Sequence, residues 1–286
     1  MHPACYHAVT IGGQGPSAGH REETWRRYAA AVSSATAYER LLQFEAVHNF
    51  RDLGGYATSD GRTTRWRTLY RADGLQRLTP GDVELLRPLG LKTVLDLRTE
   101  KELTERGRFP VDAHPVDFHH LPVIDVTWER RSGDDTADPV PFLFGQYLAI
   151  LRSGESLLAQ AFRILAGPGA LPAVFHCAAG KDRTGVLAAL VLGALGVAHD
   201  VIAEDYGLSR GALDRTKAWM AERRPDLVGS WDNIPAAHLA ATPEAMERLL
   251  DHLAAQHGSV RGYLRSIGVS DAVLDRLAAG LLVDPG

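Results

Sequence analysis

Cysteine is scarce in this chain, which has only 2, Cys5 and Cys177. That number excludes a disulfide framework, and a single bond between the two is not expected. Both thiols read as reduced in a cytosol-like compartment. Long apolar runs are missing as well. No stretch reaches the roughly 18 apolar residues of a membrane span, and the longest candidate, residues 185–197, has the length of a core helix. Stable membrane insertion is therefore not expected. The opening stretch MHPACYHAVTIGGQGPSAGH has no basic start followed by an apolar block. No secretory signal is read there, and a cytoplasmic location is expected, with signal-less secretion left open. An excess of positive charge is also absent: 31 Lys and Arg stand against 35 Asp and Glu, a formal net charge of −4. This argues against nucleic-acid binding by the whole surface but not against a local basic pocket for an anion. The 12 histidines form no HExxH, and no paired CxxC occurs, so neither common metal signature applies. His119 and His120 fall on opposite faces of an expected strand, which separates them as ligands. No cofactor is implied.

The chain does carry ample apolar material, at 45% hydrophobic and 23% charged over 286 residues, enough for a full core. Residues 1–22 have no clear period and read as a disordered tail, with one domain over 23–286. Residues 23–43 have a helical pattern, and HNFRDLGGY (48–56), with paired glycines, reads as a loop or turn. LTPGDVELLRPLG (78–90) is a punctuated helix: Thr79 caps it, Pro80 suits its first turn and Gly90 stops it. Strands are expected in LKTVLDLRTE (91–100), HHLPVID (119–125) and LPAVFHC (171–177), and a polar loop over 129–141. Helices are expected over 100–108, 142–165, 184–197 and, toward the end, 199–208, 211–224, 243–255, 260–266 and 270–282. Helices alternating with short apolar strands predict an α/β fold: a central, mostly parallel sheet flanked by helices.

The informative stretch is HCAAGKDRTG, residues 176–185. It sits between a buried strand and a helix, where α/β folds bind ligands. Loop amides there can form an anion nest, reinforced by the helix N-terminus. Cys177 would feel that field, which favours a thiolate. Arg183, six positions on, can fold back and hold two oxygens of a phosphate with its planar fork. Gly180 and Gly185 permit tight turning and close packing. The Thr184 hydroxyl is expected to donate to the thiolate, and His176 to orient the loop through a backbone hydrogen bond. His176, Ala178, Ala179, Gly180, Lys181, Thr184 and Gly185 are thus the candidate phosphate-binding residues. Lys181 would add positive charge at the mouth, suited to a second phosphate. Asp182 lies beside a bound dianion, a setting that favours the protonated carboxyl a proton donor needs.

HCAAGKDRTG matches the phosphate loop of the cysteine-dependent phosphatases, HCxxGxxR[ST]G. With NFRDLGGY upstream, VLDLRTEKE between and DYGLSR downstream, the segments over about residues 45–285 resemble the bacterial tyrosine/phosphoinositide phosphatases. The resemblance implies a tyrosine-phosphatase-like fold with a helical lid, here about 211–240 with Trp219, Met220 and Trp231. It also implies activity on phosphotyrosine, extended in several relatives to phosphoserine, phosphothreonine or phosphoinositides. It places NFRDLGG near the site, where Arg51 or Asp52 would order the loop, the alternative being a turn that only defines the fold; Tyr206 and Arg210, after the central helix, are expected to stand behind the site.

The expected partner is then a phosphorylated protein or a phosphoinositide; the oligomeric state is left open. Cys177 would attack phosphorus, Arg183 and the amides would stabilise the equatorial oxygens, and an acid would protonate the leaving oxygen. No Trp-Pro-Asp occurs, so the acid is open among Asp182, Asp96 and Asp125, favoured in that order. Asp96 has an alternative role as the ion-pair partner of Arg98, and Arg98 could itself touch substrate. Two other classes compete: a sulfurtransferase, disfavoured by the Arg183-Thr184 clamp, and a non-catalytic phosphate-binding module, disfavoured by the retained Cys177.

Overall fold

In the computed structural model, residues 40–124, 137–223 and 234–284 are described. The tetrapeptides Leu69–Ala72, Thr93–Asp96 and Ala173–His176 are each buried along their whole length, the pattern of strands covered on both faces. In chain order the elements are β1 (Arg51–Asp52), β2 (Thr63–Thr64), β3 (Leu69–Ala72), α1 (Pro80–Leu86), β4 (Thr93–Asp96), α2 (Glu100–Arg106), β5 (Asp117–His120), α3 (Pro139–Leu165), β6 (Ala173–His176), α4 (Asp182–Ala194), α5 (His199–Gly207), α6 (Ser209–Arg223), α7 (Ala236–Leu239), α8 (Pro243–His257), α9 (Val260–Ser266), α10 (Asp271–Leu281) and β7 (Leu282–Val283). The main sheet runs β1-β3-β6-β4-β5. Its pairings are parallel except β1 with β3, so the expected mostly parallel α/β sheet is the observed one.

The helix starts follow the caps. Thr79 and Thr99 each accept a bond from the third helical residue, whose carboxylate returns a bond to the cap amide, a reciprocal box that stabilises the first turn. α4 has no polar face because β3, β6, α3, α5, α8 and α9 pack around it.

Several boundaries differ from the expectation. Residues 40–43 are not helical: Leu41 bridges Arg51, and Asp52 N donates to Arg40 O at 2.9 Å. Within HNFRDLGGY, Arg51–Asp52 is an edge strand rather than a turn. The β5 strand is Asp117–His120, upstream of the apolar LPVI. The central strand β3 was not anticipated, because LYRA carries an arginine inside its apolar run. The tail 1–22, Asp125, Trp231 and most of the 129–141 loop lie outside the described residues. Of the range 211–240 assigned to a lid, α6 buries Ala212, Leu213 and Thr216.

Candidate active site

The sheet register sets Ala72, His176 and Asp96 side by side. Asp73, Cys177 and Leu97 therefore begin the rim at the carboxyl ends of these strands. From Cys177 the chain turns through residues 178–181 into α4, which opens with Asp182 and Arg183. Cys177 is a free thiol, 2% exposed.

The carbonyls of this loop are tied to the scaffold one after another. Ala178 O accepts from Gly74 N at 3.2 Å. Ala179 O and Gly180 O accept from Asn49 Nδ2 at 3.0 and 3.1 Å. Gly180 O also accepts from Arg71 Nη2 at 2.9 Å, and Lys181 O from Gly185 N at 2.7 Å. A trans peptide holds its N–H opposite its C=O. The amides of Ala179, Gly180, Lys181 and Asp182 thus face away from these tethers, onto the inner side of the loop. At Gly180 the φ is +66°, and a Cβ would stand 2.6 Å from Ala72 O. A Cβ at Gly185 would meet the Tyr206 ring at 2.8 Å. Glycine is required at both positions by close approach.

Arg183 is oriented by Glu102. Its Nη1 and Nη2 donate to Glu102 Oε2 and Oε1 at 2.5 and 3.1 Å. Glu102 is in turn the third residue of α2, where the capping box fixes it. Burial works against the charged guanidinium, but its neighbours Cys177 and Glu102 outweigh it and hold Arg183 above its ordinary pKa. Burial likewise opposes ionisation of Glu102, and the Arg183 bond overrides it and lowers that carboxyl.

Asp182 sits beside two buried phenols. Tyr147 and Tyr206 share a hydrogen bond between their hydroxyls. Burial first, then their mutual contact and the Asp182 charge, hold Tyr147 well above the ordinary tyrosine value; burial and Asp182 do the same for Tyr206. Tyr206 is thus a neighbour of the loop, whereas Arg210 is exposed and faces Asp214 at 3.5 Å.

The geometry corrects several expected roles. Asp96 is fully buried and gripped by Arg98, with Arg98 Nη2 2.6 Å from Asp96 Oδ2 and Nε 2.9 Å from Oδ1. It is not placed to hand a proton to a substrate. Burial opposes its charge, yet the Arg98 guanidinium bonded to it holds its pKa below the ordinary value. Arg98 Nη2 also donates to Gly107 O at 2.8 Å, Nη1 is buried without a hydrogen-bond partner among the described residues, and the residue as a whole is fully buried, which turns it away from an open substrate site. Arg51 is buried against Asp205, Asn49 and Ser209, and it meets the loop only through Asn49. Asp52 organises the turn after β1, accepting from Gly54 N and Arg67 N. Lys181 is not at the mouth. Its ammonium donates to His238 O and Ala240 O at 2.5 and 2.7 Å and stands 3.4 Å from Asp182 Oδ1, and with the residue 1% exposed it presents no open face to a second phosphate. The Thr184 hydroxyl is buried without a hydrogen bond, so the expected bond to the thiolate is not made. His176 Nδ1 faces Cys177 O at 3.4 Å, a long contact, while its carbonyl accepts from Leu97 N at 2.8 Å. Its ring is held neutral by burial, which lowers its pKa against the pull of Asp96.

Asn49, Arg71, Glu102 and Asp205 join the site although no sequence argument singled them out. Glu102 is signalled only by the capping spacing Thr99-x-x-Glu102, and Arg71 by a charge inside an apolar strand. His119 and His120 take separate partners, Asp117 at 3.0 Å and Glu100 at 3.3 Å.

Comparison with known proteins agrees with this geometry. The triple specificity protein phosphatase PtpB of Mycobacterium tuberculosis is 28% identical over 291 residues, covering 85% of this chain and 99% of PtpB. A tyrosine-protein phosphatase of Nostoc commune is 29% identical, covering 74% of this chain and 73% of its own. Residues 42–283 match the tyrosine phosphatase family, and the chain belongs to that family.

Proposed function

We propose that this tyrosine phosphatase works through a cysteinyl-phosphate at Cys177, with Asp182 as the proton donor and phosphotyrosine as the preferred substrate. The observation that carries the reading is the loop itself: its carbonyls are tethered to the scaffold, which turns the amides of residues 179–182 to the other side, and the arginine that follows is fixed by a carboxylate. That is a preorganised cradle for an oxyanion, the arrangement that stabilises charge in a transition state without reorganisation.

In the first step the Cys177 sulfur attacks phosphorus in line. The bond from phosphorus to the leaving oxygen breaks, and that oxygen takes the Asp182 proton. In the second step a water oxygen attacks phosphorus and gives its proton to the Asp182 carboxylate. The phosphorus–sulfur bond breaks, phosphate leaves and the thiolate returns. Arg183 keeps donors for the equatorial oxygens, because Glu102 occupies only one side of its five-donor fork. The burial of Asp96 under Arg98 supports Asp182 over Asp96. The occupied ammonium of Lys181 supports a single-phosphate substrate over a phosphoinositide carrying a second phosphate. Phosphoserine and phosphothreonine have poorer leaving groups and depend more on the acid.

The test is initial-rate hydrolysis of a phosphotyrosine peptide, a phosphothreonine peptide and phosphoinositides, with EDTA present. Cys177→Ser should reduce all rates to background. Asp182→Asn should lower kcat by about 10²–10⁴-fold, most on the poorest leaving groups. Unchanged turnover in Cys177→Ser sinks the thiolate reading. A uniform, leaving-group-independent effect of Asp182→Asn removes its role as acid. Faster turnover of phosphoinositides than of the phosphotyrosine peptide overturns the substrate order.

A further inference from the structure

Asp205 lies on α5, at 3% exposure, away from the loop in sequence. Its Oδ1 accepts from Arg51 Nε at 2.9 Å and from the Tyr56 hydroxyl at 2.8 Å. Its Oδ2 accepts from Arg71 Nη1 at 2.7 Å and from Arg51 Nη2 at 3.2 Å. A surface-type ion pair does not use a carboxylate this completely. Two guanidiniums side by side in the interior repel each other, and Asp205 is the carboxylate bonded to both. Burial and the Arg51 charge push Arg71 down to about 10.

Both arginines then lead to one point on the phosphate loop. Arg71 reaches it directly, with Nη2 2.9 Å from Gly180 O. Arg51 reaches it through Asn49: Arg51 Nη1 donates to Asn49 Oδ1, and this turns Asn49 Nδ2 toward Ala179 O at 3.0 Å and Gly180 O at 3.1 Å. Fixing the Gly180 carbonyl fixes the plane of the peptide it shares with Lys181, and so the aim of the Lys181 amide.

We propose that Asp205 is a positioning residue for the phosphatase reaction, setting the aim of the loop amides through two branches, Arg71 and Arg51–Asn49, that converge on the Gly180 carbonyl. The inference rests on the loop 177–183 being the phosphate site, as proposed above. Asp205 touches no reacting atom; its effect passes through Gly180.

The experiment compares wild type, Asn49→Ala, Arg71→Lys, the double variant, and Asp205→Asn alone and in the double-variant background. It reads kcat and KM on an aryl phosphate, the inhibition constant of tungstate, and folding by circular dichroism. Lysine at 71 keeps the charge but lacks the fork needed to serve Asp205 and Gly180 together. Each folded single variant should lose about 10- to 100-fold in kcat, the cost of about 1 Å of misplacement, and tungstate should weaken in parallel. Asp205→Asn should add little once both branches are gone, because groups acting through one contact are not additive. Tungstate affinity within twofold of wild type in Asn49→Ala and Arg71→Lys overturns the proposal. So does an Asp205→Asn effect of full size in the double-variant background. If Asp205→Asn does not fold, the two branch variants decide by themselves. A Cys177→Ser control separates the failures: retained activity there removes the phosphate-loop reading, while lost activity with normal branch variants removes only the role of Asp205.

Discussion

Replacing Glu102 tests how Arg183 is held. Glu102 has two jobs that a sequence would not connect. It closes the capping box of α2, accepting from Thr99 N at 2.9 Å, and it takes both terminal nitrogens of Arg183. Both side chains are nearly inaccessible, at 9% for Arg183 and 5% for Glu102. Removing one member of such a pair leaves a charge buried without its partner, a loss of about 3–5 kcal/mol. Losing its half of the capping box, the bond from Thr99 N, adds about 1 kcal/mol. Glu102→Ala should therefore lower the unfolding free energy by about 4–6 kcal/mol. Glu102→Gln keeps the cap, since glutamine suits the same position, but turns an amide donor toward one guanidinium nitrogen. It should lose less, about 2–3 kcal/mol, the worth of a charge-assisted bond.

Catalysis should respond differently from stability. The positive charge of Arg183 survives both substitutions, so ground-state attraction for a phosphate is kept and KM should move less than about threefold. Orientation is lost, so kcat should fall by about 10- to 100-fold. Urea unfolding with a fitted slope gives the first quantity, and steady-state hydrolysis of an aryl phosphate gives the second. A Glu102→Ala protein within 1 kcal/mol of wild type, with kcat within twofold, would falsify the claim that this carboxylate orients the arginine.

Further outcomes follow from the same contacts. Asp96→Asn should destabilise the fold by about 3–5 kcal/mol by stranding Arg98, yet leave the leaving-group dependence of kcat unchanged; a steepened dependence would return Asp96 to candidacy as the acid. Gly180→Ala must both adopt a positive φ and move Ala72 O, so it should cost at least about 2 kcal/mol and about 100-fold in kcat; near-wild-type values of both would show that the loop tolerates a Cβ. Lowered histidines give the pH dependence its sign. His176 folds neutral, so its contribution is complete above the unfolded value of about 6.5 and is lost as pH falls through its lower folded value. His176→Gln should flatten urea stability below about pH 6.5 relative to wild type, and an identical slope in the two proteins would refute the assignment. The carboxylates Asp96, Glu102 and Asp205 have depressed values, so their contribution is lost only in stronger acid.

The sequence made the chemistry at Cys177 and Arg183 legible because those residues lie within one local loop. Strand, loop and helix start each have local causes: an apolar run, paired glycines, and the closing of a helix turn. The support was not legible. Arg71, Asn49 and Asp205 reach the loop from 109, 131 and 25 positions away by residue number, and no local propensity encodes such contacts. Lys181 shows the reverse error. A lysine in a phosphate loop suggests a free charge at the mouth, yet the residue is 1% exposed because two backbone carbonyls near α7 need its donors. For Arg98, of the two roles read from the sequence, the ion pair with Asp96 two residues away is the one the structure shows.

The charges around the loop also bear on why its acid should be Asp182. Bonded to the loop, or to a side chain that is, or buried against the strand end, are Arg51, Arg71, Arg98, Lys181 and Arg183. Opposite them stand Asp96, Glu102, Asp182 and Asp205, while Asp73 at the end of β3 is paired with Arg77. One positive charge in this set has no carboxylate, and in the proposed mechanism the Cys177 thiolate is its counter-charge. The set is then neutral before substrate arrives. A phosphate ester brings negative charge into it, and the least costly response is for one carboxylate to take a proton. Asp96, Glu102 and Asp205 are each locked to an arginine that holds the carboxyl in its charged form. Asp182 is not gripped in this way: it lies 3.4 Å from a lysine already bonded elsewhere, and it borders two phenols whose pKa its charge raises. These contacts support Asp182 over the other three carboxylates as the proton donor of the proposed mechanism.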